Sequence, residues 1–142
     1  MLKYATEKFN LDNDEILWEN FMCFIRKIIP YEATIFNTLS EKQKIVITAF
    51  NYSSEVMGDG HMSFLELYGK YISFSDVIAA LKEISVSDKY IKILEDIPTD
   101  VEVDVDSFDE FDARFYQYGD EELIDRIIRY IRQYHLEFFE YV

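Results

Sequence analysis

Carboxylates are the side chains this chain offers most freely for chemistry, with 28 Asp and Glu against 14 Lys and Arg in 142 residues. Two carboxylates on one helix face can share a proton or a divalent metal, the arrangement used by many hydrolases. Asp109 and Asp112, three residues apart, have that spacing. Among 28 such side chains some pairs must meet by chance, so a solvated acidic face accounts for this one without catalysis.

The segment Glu55 to Glu66, EVMGDGHMSFLE, places Gly60, Met62 and Glu66 at the sixth, eighth and twelfth positions of a calcium loop, with Glu55 at the first. Its third position is Met57, which has no oxygen to offer. Glu55, Asp59 and Glu66 are thus candidate ligands in an incomplete loop, and a turn closed by Gly58 and Gly60 is the expected structure. His61, His135 and Cys23 form neither a metal-ligand spacing nor a Cys-His couple. Both histidines are expected at the surface or its boundary, and Cys23 as a small packed side chain in a reducing compartment. Serines stand mainly at helix starts, where capping explains them. With no phosphate-binding loop and no dinucleotide fingerprint, neither an enzymatic reaction nor a cofactor is expected.

The acids are unevenly spread. Between Glu95 and Asp125 there are 13 against a single base, Arg114. The candidate partner-binding residues in this stretch are Asp100, Glu102, Asp104, Asp106, Asp109, Glu110, Asp112, Asp120, Glu121 and Glu122. A net charge of -14 and a pI near 4.4 exclude nucleic acid as a direct ligand, because phosphate binders need basic groups to displace counterions. Cations and basic proteins are the partners such a surface attracts.

The elements that must position these acids are helical. Leu17, Phe21, Phe24, Ile25 and Ile28 recur at helical spacing between Asp12 and Pro30, with Asp12 as the expected cap. Ser40 with Gln43 reads as a capping box opening a helix to about Val56, although the β-branched run Ile45 to Thr48 would also suit a strand. After a break at Gly58-Asp59-Gly60, helices are expected at Ser63 to Tyr68, Ser75 to Ile84, Ser87 to Ile97, Phe108 to Tyr116 and Glu121 to about Phe139. The alternation in 99–107 predicts an extended acidic connector with Val101, Val103 and Val105 inward. The expected fold is one all-α domain over 1–142, a compact bundle of about six or seven helices. With no apolar run near about 18 residues and no apolar leader, a cytoplasmic location without membrane contact is expected.

Three stretches resemble a bacterial family, the DNA-mimic protein domain. They are Leu39-Ser40-Glu41 through Glu55-Val56 to Phe64 and Tyr68; Val77 to Ile84; and Phe108 to Tyr116 followed by Arg129-Tyr130-Ile131-Arg132. The likeness spans about 35–139, and Gly58-Asp59-Gly60-His61 stands where the family has Asn-Gly-Gly-Phe. The resemblance implies a helical protein, with a homodimer as one expected state, whose carboxylates stand in for DNA phosphates at the basic site of a DNA-binding regulator or nucleoid protein. Two other readings are an immunity protein that neutralises a basic toxin such as a nuclease, and a metal-dependent hydrolase using paired carboxylates.

Overall fold

The computed structural model describes residues 3–6, 11–29, 32–98 and 106–141. Helix α1 (Asp14–Ile28) buries Leu17, Phe21, Phe24, Ile25 and Ile28, the face that the apolar spacing predicts. Its cap is Asn13 rather than Asp12: Asn13 is extended, and its Oδ1 accepts from the Ile16 N–H at 3.0 Å. Helix α2 (Glu32–Ile35) is a single turn continued by a 3-10 turn, Phe36–Thr38.

Helix α3 (Glu41–Asp59) is the longest element, and α4, α5, α7 and α8 all pack on it. The capping box is present, with the Gln43 N–H donating to Ser40 Oγ and the Ser40 N–H to Gln43 Oε1. Gln43 also donates through Nε2 to the Glu137 carbonyl at 2.7 Å, which ties the start of α3 to the end of the chain. The β-branched run is helical because Val46, Ile47, Thr48 and Ala49 are all buried, as expected of a helix surrounded by others.

The helix continues past Val56 to Asp59, so Gly58 is helical and Gly60 alone breaks the chain, at φ 91°. That positive φ suits glycine, and a Cβ on Gly60 would stand 2.6 Å from Asp112 Oδ2. Helix α4 (His61–Tyr68) starts at once, two residues before its expected start at Ser63.

Helix α5 (Phe74–Glu83) is capped by Ser73 in a box with Asp76, so it opens one residue before the expected Ser75. It ends with the Ser85 N–H bonded to the Lys82 carbonyl and the Val86 N–H to the Leu81 carbonyl, with Ser85 at φ 65°. This is a Schellman ending with serine at the left-handed position that glycine usually fills. Helices α6 (Asp88–Asp96), α7 (Asp109–Tyr118) and α8 (Glu121–Gln133) complete the bundle, giving eight α-helices among the described residues.

Helix α8 stops at Gln133, six residues short of the expected Phe139. A 3-10 turn, His135–Glu137, leads to strand β2 (Phe139–Tyr141), which pairs in parallel with β1 (Tyr4–Thr6) in the register Tyr4 to Phe139. The chain leaves the helix because Phe138 and Phe139 are both fully buried, with Phe138 edge-on to Phe24 at 5.6 Å. The fold is all-α apart from this short ribbon. Residues 99–105 of the expected connector lie outside the described residues, and 106–108 form the turn into α7. No helix among the described residues is long and apolar enough to cross a membrane.

Candidate functional site

The described candidate acids lie at the two ends of α7. Asp106, Asp109 and Glu110 are exposed at its N-terminal end. Asp120, Glu121 and Glu122 follow Gly119 at its C-terminal end, where α8 begins. Ten residues of α-helix span about 15 Å. Asp100, Glu102 and Asp104 lie outside the described residues.

Helix geometry explains part of this acid density. Asp109, Glu110 and Asp112 occupy the first turn of α7, and Glu121 and Glu122 the first turn of α8, where free backbone N–H groups and the helix dipole favour negative charge. Glu122 is further engaged, its two carboxylate oxygens accepting from the Ser87 N–H at 2.6 Å and the Ser87 hydroxyl at 3.0 Å at the start of α6. The Asp120 to Glu122 group also surrounds Tyr90. Burial first, then the charges of Glu122, Asp120 and Glu121, raise the Tyr90 hydroxyl above its ordinary range. That hydroxyl stays a donor and bonds the Gly119 carbonyl at 2.7 Å, which fixes the α7–α8 turn.

Asp112 turns inward. Its Oδ1 accepts from the His61 N–H at 2.8 Å and lies 2.6 Å from His61 Nδ1, while His61 Nε2 is 2.8 Å from the Tyr52 hydroxyl. His61 is 0% exposed, so the surface position expected for it is wrong. The Gly60 break places His61 at the first position of α4, directly under α7, and Phe64, Phe108 and Phe115 enclose it or its Tyr52 partner. The backbone contact makes Asp112 the cap of α4 as well as the partner of the buried imidazole. No sequence spacing announced this, because 51 residues separate Asp112 from His61.

An Asp-His-Tyr chain resembles a relay to a nucleophile, but this one has no open end. Tyr52 is also 0% exposed, and burial, followed by the Asp112 charge, pushes its hydroxyl far above the ordinary tyrosine range. Such a hydroxyl is a fixed hydrogen-bonding group rather than a base or nucleophile.

The calcium-loop candidates are not assembled into a loop. Glu55 lies within α3 and accepts from the Ser63 hydroxyl at 2.5 Å, while Asp59 ends α3 and Glu66 is exposed on α4. Among the described residues, no three His, Cys, Asp or Glu side chains are grouped to hold a metal. Arg114, the lone base of the acidic stretch, is held by Asp96 at 3.0 Å, and Lys92 pairs with the same carboxylate at 2.9 Å. His135 is half-buried, with Nδ1 at 2.8 Å from the Tyr141 hydroxyl.

A helical frame carrying carboxylates at successive helix starts defines an acidic all-α protein. The family model described as DMP19-like protein matches residues 37–134, and the chain belongs to that family, a DNA-mimic family rather than a known enzyme family. Neither a curated protein nor a solved structure matches it.

Proposed function

We propose that this chain is a non-enzymatic binding protein whose exposed carboxylates occupy the nucleic-acid site of a basic DNA-binding protein. The observation that carries the reading is the placement of Asp109 and Glu110 at one end of α7 and Glu121 at the other. All three are exposed and in no ion pair among the described residues. Helix packing holds these charges in place, so a partner need not order them on binding. Family membership supports the same reading.

Capture on the immobilised protein, followed by competition with duplex DNA, tests it. The captured protein should be basic, should be released by added salt, and should be displaced by DNA. A single basic nuclease held tightly and indifferent to DNA would instead support the immunity reading. Capture of acidic or neutral proteins would refute both.

A further inference from the structure

A groove of about 430 Å³ lies between α1, α3 and the start of α8, a volume in the range of small-molecule sites. Its walls are Trp18, Met22, Phe50, Met57, Ile124 and Ile127, and Met57 is left 41% exposed. Trp18 is half-buried and tilted against Phe21 and Phe50, with ring centroids 5.5 and 6.0 Å away, so its indole is held in place. Gly58 belongs to the same lining within the last turn of α3, and a Cβ added to it would meet nothing within 4 Å. Nearly every other residue would suit a helix better, so the missing side chain leaves the groove open at a cost in helix stability.

Two polar side chains define the chemistry of an occupant. Asp120 is the one charged residue in the lining. It stands at the start of α8 without bonding a backbone N–H, and its half-buried carboxylate enters no hydrogen bond or ion pair among the described residues. Ser53 is 3% exposed, and its hydroxyl likewise has no partner among the described residues. The partnerless side-chain atoms sealed from solvent are Arg126 Nε and the Tyr130 hydroxyl; the Ser53 oxygen is not one of them and opens to the groove that it lines. Buried polar groups in folded proteins are nearly always paired, so an open, unpaired hydroxyl beside an unpaired carboxylate calls for a donor. Both oxygens accept from a cation, and an indole face attracts one. No basic side chain lines the groove, and Glu121 and Glu122, next to Asp120 in the chain, add to the negative potential. The apolar walls require that the cation carry an apolar body.

We propose that this groove binds a small aryl-alkyl ammonium ion, its ring against Trp18 and Phe50 and its ammonium donating to Asp120 and Ser53. The contacts use none of Asp109, Glu110 and Glu121, so this site and the carboxylate surface can fail separately.

Trp18 is the sole tryptophan of the chain, so its emission reports on the groove directly. The whole protein is titrated with phenethylammonium chloride, with phenethyl alcohol as the neutral counterpart and ethylammonium chloride as the charge without the ring, all at equal ionic strength. The expected result is a saturable emission change with phenethylammonium, an affinity at least about tenfold weaker for the alcohol, and no saturation with ethylammonium. Asp120→Asn should weaken phenethylammonium binding by about tenfold with the far-UV dichroism unchanged. Gly58→Leu should abolish binding without lowering the unfolding midpoint, since leucine is the better helix former and has room there. Equal affinity for the alcohol would make this a groove for neutral apolar ligands and overturn the proposal, and an equal response to ethylammonium would reduce it to surface charge. An emission change that does not saturate, or unchanged affinity in either folded variant, would overturn it as well. The comparison of the three probes needs no variant, so it decides even where a variant fails to fold.

Discussion

At the residue scale, buried polar groups set the tolerance of the molecule. Replacing Asp112 with Ala leaves the His61 imidazole and the His61 N–H without their acceptor inside the protein. A loss of about 1–3 kcal/mol in urea unfolding is expected. Gly60→Ala should be of similar severity, because the new Cβ meets the Asp112 carboxylate at a φ that alanine resists. The opposite sign is expected at Ser85, where glycine relieves about 1–2 kcal/mol of left-handed strain and should raise the unfolding midpoint. Glu32 supplies a pH effect. Burial holds its carboxyl above the ordinary value of 4.5, against the opposing hydrogen bonds from Asn51 and Tyr71. Protonated Glu32 therefore favours the folded state, and its contribution fades as pH rises from 4.5 through the raised value. Glu32→Gln should stabilise the protein at pH 7 and flatten the dependence of stability on pH in that window.

At the element scale, much of the architecture was legible because helix starts carry local signals. The Ser40–Gln43 box and the apolar faces of α1, α5 and α6 are short-range features, and the structure realises each. Ser40→Ala removes the Oγ that accepts from the Gln43 N–H, and about 1 kcal/mol should be lost in the same unfolding assay. What the pattern did not disclose is decided by contacts distant in sequence. Asn13 rather than Asp12 caps α1 by a one-residue choice that composition does not resolve. The end of α8 depends on Phe138 and Phe139 reaching the core beside α1, and the β1–β2 ribbon joins segments at opposite ends of the chain. The reading of Glu55 to Glu66 as a turn failed because Gly58 is accommodated inside α3. The acidic stretch was visible as composition, but its division was not. Asp112 and Glu122 are engaged within the fold, whereas Asp109, Glu110 and Glu121 face solvent.

At the scale of the whole molecule, a net charge of -14 must be carried by a frame that tolerates self-repulsion. Helix N-termini, Ser87, His61 and the few bases near the acidic stretch offset part of it, and what is left is displayed at both ends of α7. Exposed charges are screened within about 8 Å at physiological ionic strength, so a complex built on them should weaken steeply as salt rises. Neutralising Asp109, Glu110 and Glu121 together as Asn, Gln and Gln should reduce capture of the basic partner by at least about tenfold and shallow its salt dependence. The helical dichroism should remain, because each side chain is exposed. The decisive measurement is an equilibrium competition between this protein and duplex DNA for the captured partner. Mutual exclusion, with each weakening the apparent affinity of the other, is the predicted result. Simultaneous binding of both at undiminished affinity would contradict the proposal that these carboxylates occupy a nucleic-acid site.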